Sequence, residues 1–110
     1  MNISSPDMPE VIPDELAGRI AIVTGAGRGM GRAVATRLAK AGASLVVNDL
    51  APHTAADTTE SIIANGGNAI AVAGDVSDSA FVDSLIDRTV SEFGHINILA
   101  NAAGILRRTA

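Results

Sequence analysis

Cysteine is absent from these 110 residues, which removes any disulfide framework and any thiolate metal site and suits the cytosol. Histidine occurs only at His53 and His95. Neither has a neighbour at metal-ligand spacing, so both read as loop residues and no metal site is expected. No apolar run approaches the roughly 20 residues that cross a bilayer, and the N-terminus lacks the basic-then-apolar order of a secretion signal, so no membrane partner is expected. Basic residues are missing from positions 1–15, which hold Asp7, Glu10, Asp14 and Glu15. Beyond them eight acids face eight bases, so the whole net charge of −4 lies in that opening segment. A neutral body without a basic face argues against nucleic acid as a partner. Internal repeats and low-complexity segments are also lacking.

The acidic segment carries Pro6, Pro9 and Pro13, so Met1 to about Pro13 reads as a flexible extension; residues 1–15 are assigned to a tail and 16–110 to one domain. That domain alternates short apolar runs with helical patterns. Ile20–Thr24 reads as strand one. Arg32–Ala41 reads as a helix with Val34, Leu38 and Ala41 on one face, closed by Gly42. Ser44–Asn48 is expected as strand two, Thr54–Asn65 as a second helix stopped by Gly66-Gly67, and Ala69–Ala73 as strand three. Ser77 is placed to cap a third helix over Asp78–Phe93. Its Phe81, Val82, Leu85, Ile86, Val90 and Phe93 form a helical stripe expected to be core. Gly94 ends it, and Ile96–Ala100 is strand four.

Such βα alternation with right-handed crossovers gives an α/β fold: a Rossmann-like, doubly wound parallel sheet, incomplete at four strands and three helices. Its order is expected to be 3-2-1-4. The reversal of direction between strands one and four opens a crevice at the strands' carboxyl ends. The glycine-rich turn, Asp49, Asp75 and Asn101 all fall there.

The turn is Thr24-Gly25-Ala26-Gly27-Arg28-Gly29-Met30-Gly31. Strand, glycine turn and helix in that order begin a dinucleotide-binding unit. Backbone N–H groups at a helix start have no intrahelical partner, and the helix dipole places partial positive charge there, so a pyrophosphate fits. The G-x-G-x-x-G spacing fails at Met30 and Arg32; T-G-x-x-x-G-x-G fits, with Gly25, Gly29 and Gly31. That spacing resembles the short-chain dehydrogenase/reductase family. By that likeness Gly25 makes the turn, Gly29 admits the pyrophosphate to the backbone, and Gly31 lets helix and strand pack closely.

Three further matches carry the resemblance. Asp49, eighteen residues after Gly31, stands where an acid accepts hydrogen bonds from the adenosine ribose hydroxyls and repels a 2′-phosphate. Asp75-Val76 resembles the family's Asp-Val pair, which packs on adenine; Asp75 before Ser77 also fits plain capping chemistry. Asn101-Ala102-Ala103-Gly104 resembles the Asn-Asn-Ala-Gly motif, with Ala102 in place of the second Asn. Asn101 is implied to support the sheet, and the small Ala103-Gly104 pair to let cofactor pass over backbone. The implied contact set also takes in Arg28, Met30 and Leu50. Arg28 could serve a 2′-phosphate, meet the pyrophosphate or face water; Asp49 tips the expectation to NAD over NADP.

Resemblance covers Leu16 to about Leu106. Family enzymes carry their chemistry further on, in an Asn, a Ser and a Tyr-x-x-x-Lys pair. Here there is no tyrosine, and the single lysine is Lys40 on the first helix, so no catalytic residue is assigned. Two readings follow. One is the N-terminal cofactor-binding piece of an oxidoreductase that moves hydride between NAD(P) and an alcohol or carbonyl substrate bound only by the full-length protein. The other is a non-catalytic NAD-binding module or inactive truncated product. The ending Arg107-Arg108-Thr109-Ala110, without a closing helix, favours the first for origin; for the 110 residues alone, inactivity is expected. Strand four, without a strand five beside it, is expected to be an open edge prone to self-association.

Overall fold

The structure is a computed structural model, and it describes residues 14–102. The proposed extension over Met1 to Pro13 lies outside the described residues, as do Ala103 and Gly104. Four strands and three helices alternate: β1 (Ile20–Thr24), α1 (Gly29–Lys40), β2 (Ser44–Asp49), α2 (Pro52–Ala64), β3 (Asn68–Ala73), α3 (Ser79–Phe93) and β4 (Ile98–Asn101). All pairings are parallel and the order is β3-β2-β1-β4, so the expected Rossmann-like topology is the one observed.

The right-handed crossover explains which helix goes where. Both α1 and α2 return the chain in one direction across the sheet and share a face, whereas α3 carries it back to β4 over the other face. Side chains alternate accordingly. Ala21, Val23, Leu45, Val47 and Ala69 join Ala35 of α1 and Ala55 and Ile62 of α2 in one buried cluster. Ile22 and Val46, from the same strands, meet Leu85 of α3 in a second, smaller one. Alanines on the first face leave little standing above the sheet, so two helices settle close to it.

Glycine ends the helices by a definite geometry. After α1, the N–H of Gly42 (φ +103°) donates to Ala39 O and that of Ala43 to Leu38 O. After α2, Gly66 (φ +90°) donates to Ile63 O and Gly67 to Ile62 O. Both are Schellman closures, in which a left-handed residue satisfies carbonyls the helix leaves open.

Several boundaries move from their sequence positions. α1 begins at Gly29, three residues before Arg32, because the glycine turn itself forms the first helical turn; Arg32 N–H already donates to Arg28 O at 3.3 Å. α2 starts at Pro52, whose fixed φ suits the first helical position. β2 runs on to Asp49 and β3 starts at Asn68, paired with Ser44. β4 is Ile98–Asn101 rather than Ile96–Ala100. Ile96 packs instead into the α3-side cluster, and Asn97 anchors the strand's start: its Oδ1 accepts from Ile20 N–H at 2.8 Å and its own N–H donates to Ile20 O at 2.9 Å.

Two expectations for α3 are corrected. Its cap is Asp78, not Ser77: the Asp78 carboxylate accepts from Ala80 N–H at 3.0 Å. Ser77 is drawn back toward Asp75, donating to Asp75 Oδ1 through both N–H and hydroxyl. Nor is the apolar stripe all core. Leu85 is buried with Thr89, but Ile86 and Val90 stand 42% and 45% exposed. The stripe is wider than the strip of sheet that lies under it, since β4 is the last strand among the described residues on that side. In α2 likewise, the buried face runs Ala55, Thr58, Thr59, Ile62, which turns Ile63 outward.

Candidate functional site

The carboxyl ends of all four strands come together as the order 3-2-1-4 requires. Thr24 pairs with Asn101 across β1 and β4, and Asp49 with Ala73 across β2 and β3. The glycine turn rises from Thr24 between them.

A lattice of hydrogen bonds fixes that turn. Ala26 N–H donates to Asn48 O at 2.7 Å, and Thr58 Oγ1 reaches up from α2 to donate to Ala26 O at 2.9 Å. Buried Asn48 donates through Nδ2 to Val72 O at 2.9 Å and to Gly74 O at 3.3 Å, while Gly74 N–H donates to Asp49 O at 3.0 Å. Turn, β2 and β3 are thus tied at one level. A buried Asn side chain requires such partners, because an unpaired amide there would be costly. On the other side Thr24 Oγ1 donates to Asn101 Oδ1 at 2.7 Å, joining β1 to β4.

Each glycine of the turn has its own reason. Gly25 (φ +65°) and Gly29 (φ +61°) hold left-handed backbone that other residues adopt at a penalty. A Cβ on Gly31 would overlap the Gly25 carbonyl oxygen and lie 3.1 Å from Ala102 Cβ. The close approach that Gly31 permits is therefore to the turn and to the residue after β4, rather than to β1 itself. A Cβ on Gly29 would meet nothing within 4 Å: the space above it is open. No side chain caps α1 and no acid lies in its first turn, so the helix itself offers nothing to offset the positive end of its dipole.

The remaining predicted positions fall as follows. Arg28 is the N-cap residue of α1, extended and exposed, and Met30 is exposed beside it. Asp49 is half-buried and Leu50 exposed. Asp75 is exposed in its turn with Ser77, and Val76 packs against the α3-side cluster. Asn101 is engaged by Thr24, and Ala102 is buried against Gly31.

Sequence reasoning passed over Gly27, Asn48, Thr54 and Thr58. Thr54 Oγ1 donates to Asp49 Oδ2, and a Cβ on Gly27 would overlap that carboxylate oxygen and lie 2.6 Å from Thr54 Oγ1. A signal for two of them existed: Thr58 falls three residues after Ala55 and four before Ile62, on the core face of α2, and Asn48 directly follows the apolar run Leu45-Val46-Val47.

Residues 19–110 match the short chain dehydrogenase family. The chain belongs to that family. Over 95 residues it is 48% identical to a 3-oxoacyl-[acyl-carrier-protein] reductase of Synechocystis sp., covering 86% of this chain and 38% of that protein. A hydroxynaphthalene reductase-like protein of Metarhizium acridum is 40% identical over 96 residues, covering 86% and 36%. Among solved structures, a hydroxysteroid dehydrogenase from Escherichia coli superposes with a TM-score of 0.78 at 38% identity, over 79% of this chain and 37% of that one. The chain thus spans a little over a third of the length of these relatives.

Family membership accounts for the T-G-x-x-x-G-x-G spacing, and the family binds a nicotinamide dinucleotide. The groups such a ligand needs are compatible with this short-chain dehydrogenase surface: an uncapped helix start, open space over Gly29 and a carboxylate at the end of β2. Among the described residues no group of three or more His, Cys, Asp or Glu could hold a metal ion, and no helix is long and apolar enough to cross a membrane.

Proposed function

We propose that this chain is the dinucleotide-binding part of a short-chain dehydrogenase/reductase that moves hydride between a nicotinamide cofactor and an alcohol or carbonyl substrate, and that it prefers NAD to NADP. The observation that carries the preference is Asp49. Its carboxylate ends β2 beside the glycine turn, where ribose hydroxyls can donate to it and a 2′-phosphate would meet like charge. The pyrophosphate would lie over Gly29 at the α1 N-terminus, with Gly25 and Gly31 holding the turn and Arg28 and Met30 at its rim. Leu50 would flank the ribose, Asp75 and Val76 the adenine, and Asn101 through Gly104 the path beyond. The bound dinucleotide supplies the hydride acceptor or donor; this chain's residues bind and orient it. The cysteine-free composition suits a cytoplasmic setting, which belongs to the same proposal.

These residues alone should not catalyse. There is no tyrosine, and Lys40 closes the end of α1 opposite the glycine turn, about 16 Å along a helix rising 1.5 Å per residue. General acid–base groups typically contribute about 10²–10⁴-fold. The relatives' names, reductase and dehydrogenase, disfavour a binding module without any such chemistry. Calorimetric titration of the chain and its Asp49→Ser variant with NAD and NADP is the test. NAD should bind more tightly by on the order of 1–3 kcal/mol, and the variant should lose most of that margin. Equal binding of both cofactors by the unaltered chain would give the ribose end to Arg28 and defeat the preference. Substrate-dependent NADH turnover above that of Gly29→Trp would defeat the claim of inactivity.

A further inference from the structure

We infer that Thr54 is a positioning residue for cofactor selection, acting through Asp49, and that the bare backbone of Gly27 is what allows it to do so. The inference rests on the NAD reading and adds to it the device that aims the carboxylate. Thr54 lies in the first turn of α2, three residues beyond Ala51, the N-cap. Its hydroxyl has two acceptors in reach, Asp49 Oδ2 and Ala51 O at 3.0 Å. One hydroxyl carries one proton, and the charged carboxylate is the stronger acceptor.

An aspartate at the end of a strand can turn about two side-chain bonds. A donor fixed on a helix holds Oδ2 and so orients the carboxylate, leaving Oδ1 for a ribose hydroxyl. Gly27 completes the unit. A Cβ there would overlap Asp49 Oδ2 and lie 2.6 and 2.7 Å from Thr54 Oγ1 and Cβ. Any side chain at position 27 must displace the carboxylate or the threonine. The family's glycine spacing leaves this position open, yet here packing demands glycine at it. The glycine turn is thereby joined to the neighbouring end of β2 and start of α2, distant from it in sequence, at the one carboxylate that distinguishes a hydroxyl from a phosphate.

A purely local role for Thr54, closing the first turn of α2 on Ala51, would alter stability and leave ribose discrimination alone. The full chain is therefore titrated with NAD, 2′-deoxy-NAD and NADP, in unaltered form and as Thr54→Val, Thr54→Ser and Gly27→Ala. The unaltered chain should prefer NAD to 2′-deoxy-NAD by about tenfold, the size expected of one hydrogen bond to a charged group. Thr54→Val should cut that preference to about twofold by weakening NAD alone, Thr54→Ser should restore it, and Gly27→Ala should behave like Thr54→Val. An unaltered chain that binds neither, or does not discriminate, removes the NAD reading and this inference with it. Discrimination kept by Thr54→Val overturns the inference and leaves the NAD reading standing. Should a thermal melt show Thr54→Val unfolded, Gly27→Ala decides: tenfold discrimination retained there overturns the inference.

Discussion

The two faces of the sheet are finished to different degrees. On the α1–α2 face, ten buried residues form a continuous core, with Ala21, Val23, Ala35, Leu45, Val47 and Ala55 no more than fractionally accessible. On the α3 face the buried apolar cluster shrinks to Ile22, Val46 and Leu85, with Thr89 buried beside Leu85. Beside them lies an apolar trough of about 270 Å³, walled by Ile22, Val76, Val82, Leu85, Ile86, Ile96 and Leu99. Residue chemistry does not explain the contrast, since the α3 face carries the larger side chains. Coverage does: two helices lie over one face and a single helix over the other. The site draws its rigidity from the finished face, where Thr58 and Thr54 of α2 hold the glycine turn and Asp49.

Substitutions of like size should therefore have unlike consequences. Leu45→Ala empties a fully buried place on the finished face and should cost about 2–5 kcal/mol. Ile86→Ala, on the trough wall, should cost under about 1 kcal/mol, since much of that side chain is already in water. Chemical denaturation of the two variants measures the difference; equal losses would mean that the α3 face is as well supported as the other. Gly31→Ala should come next, at about 1–3 kcal/mol, because the new methyl must push aside the Gly25 carbonyl. It should weaken NAD binding as well, by moving the turn. Thr58→Val keeps the shape and removes the donor to Ala26 O. Leaving that buried carbonyl short of a partner should cost about 1–3 kcal/mol, with the smaller end expected if Ala26 O finds water.

The strand order, the alternation and the strand-end location of Asp49, Asp75 and Asn101 were all legible in the sequence. Each follows from local pattern and from the handedness of crossovers. Gly27 and Thr54 were not. Their importance depends on three segments meeting at one point, and a spacing motif records only one of the three. Asp75 shows the opposite limit: the dipeptide Asp-Val matched a family pattern, while the capping chemistry of Asp before Ser77 was equally readable, and the side chain does form that turn. The α3 stripe failed because helical periodicity reveals which side chains share a face, not how much sheet lies beneath them. Ile86 and Val90 needed a neighbour beyond β4 to become core.

The smallest effect on stability should accompany the largest effect on association. Both edges of the sheet, β3 and β4, are open among the described residues, yet they differ. β3 presents no large exposed apolar side chain, whereas Leu99 on β4 is 67% exposed, on the same face as Ile86 and Val90 of α3. An edge strand with unpaired N–H and C=O groups beside apolar surface is a template for another strand. The expected partner is a second copy of this chain, which would pair β4 with β4 about a two-fold axis. The alternation along β4 chooses the variant: Ile98 packs into the α1–α2 core, so a lysine there would confuse edge and core, while Leu99 does not. Leu99→Lys should therefore change folding stability by no more than about 0.5 kcal/mol, while shifting a concentration-dependent dimer or larger species toward monomer in sedimentation velocity. An unaltered chain that stays monomeric at high concentration with a sharp thermal transition would show that the half-covered face is tolerated in water. The contrast between the two faces would then be one of packing alone.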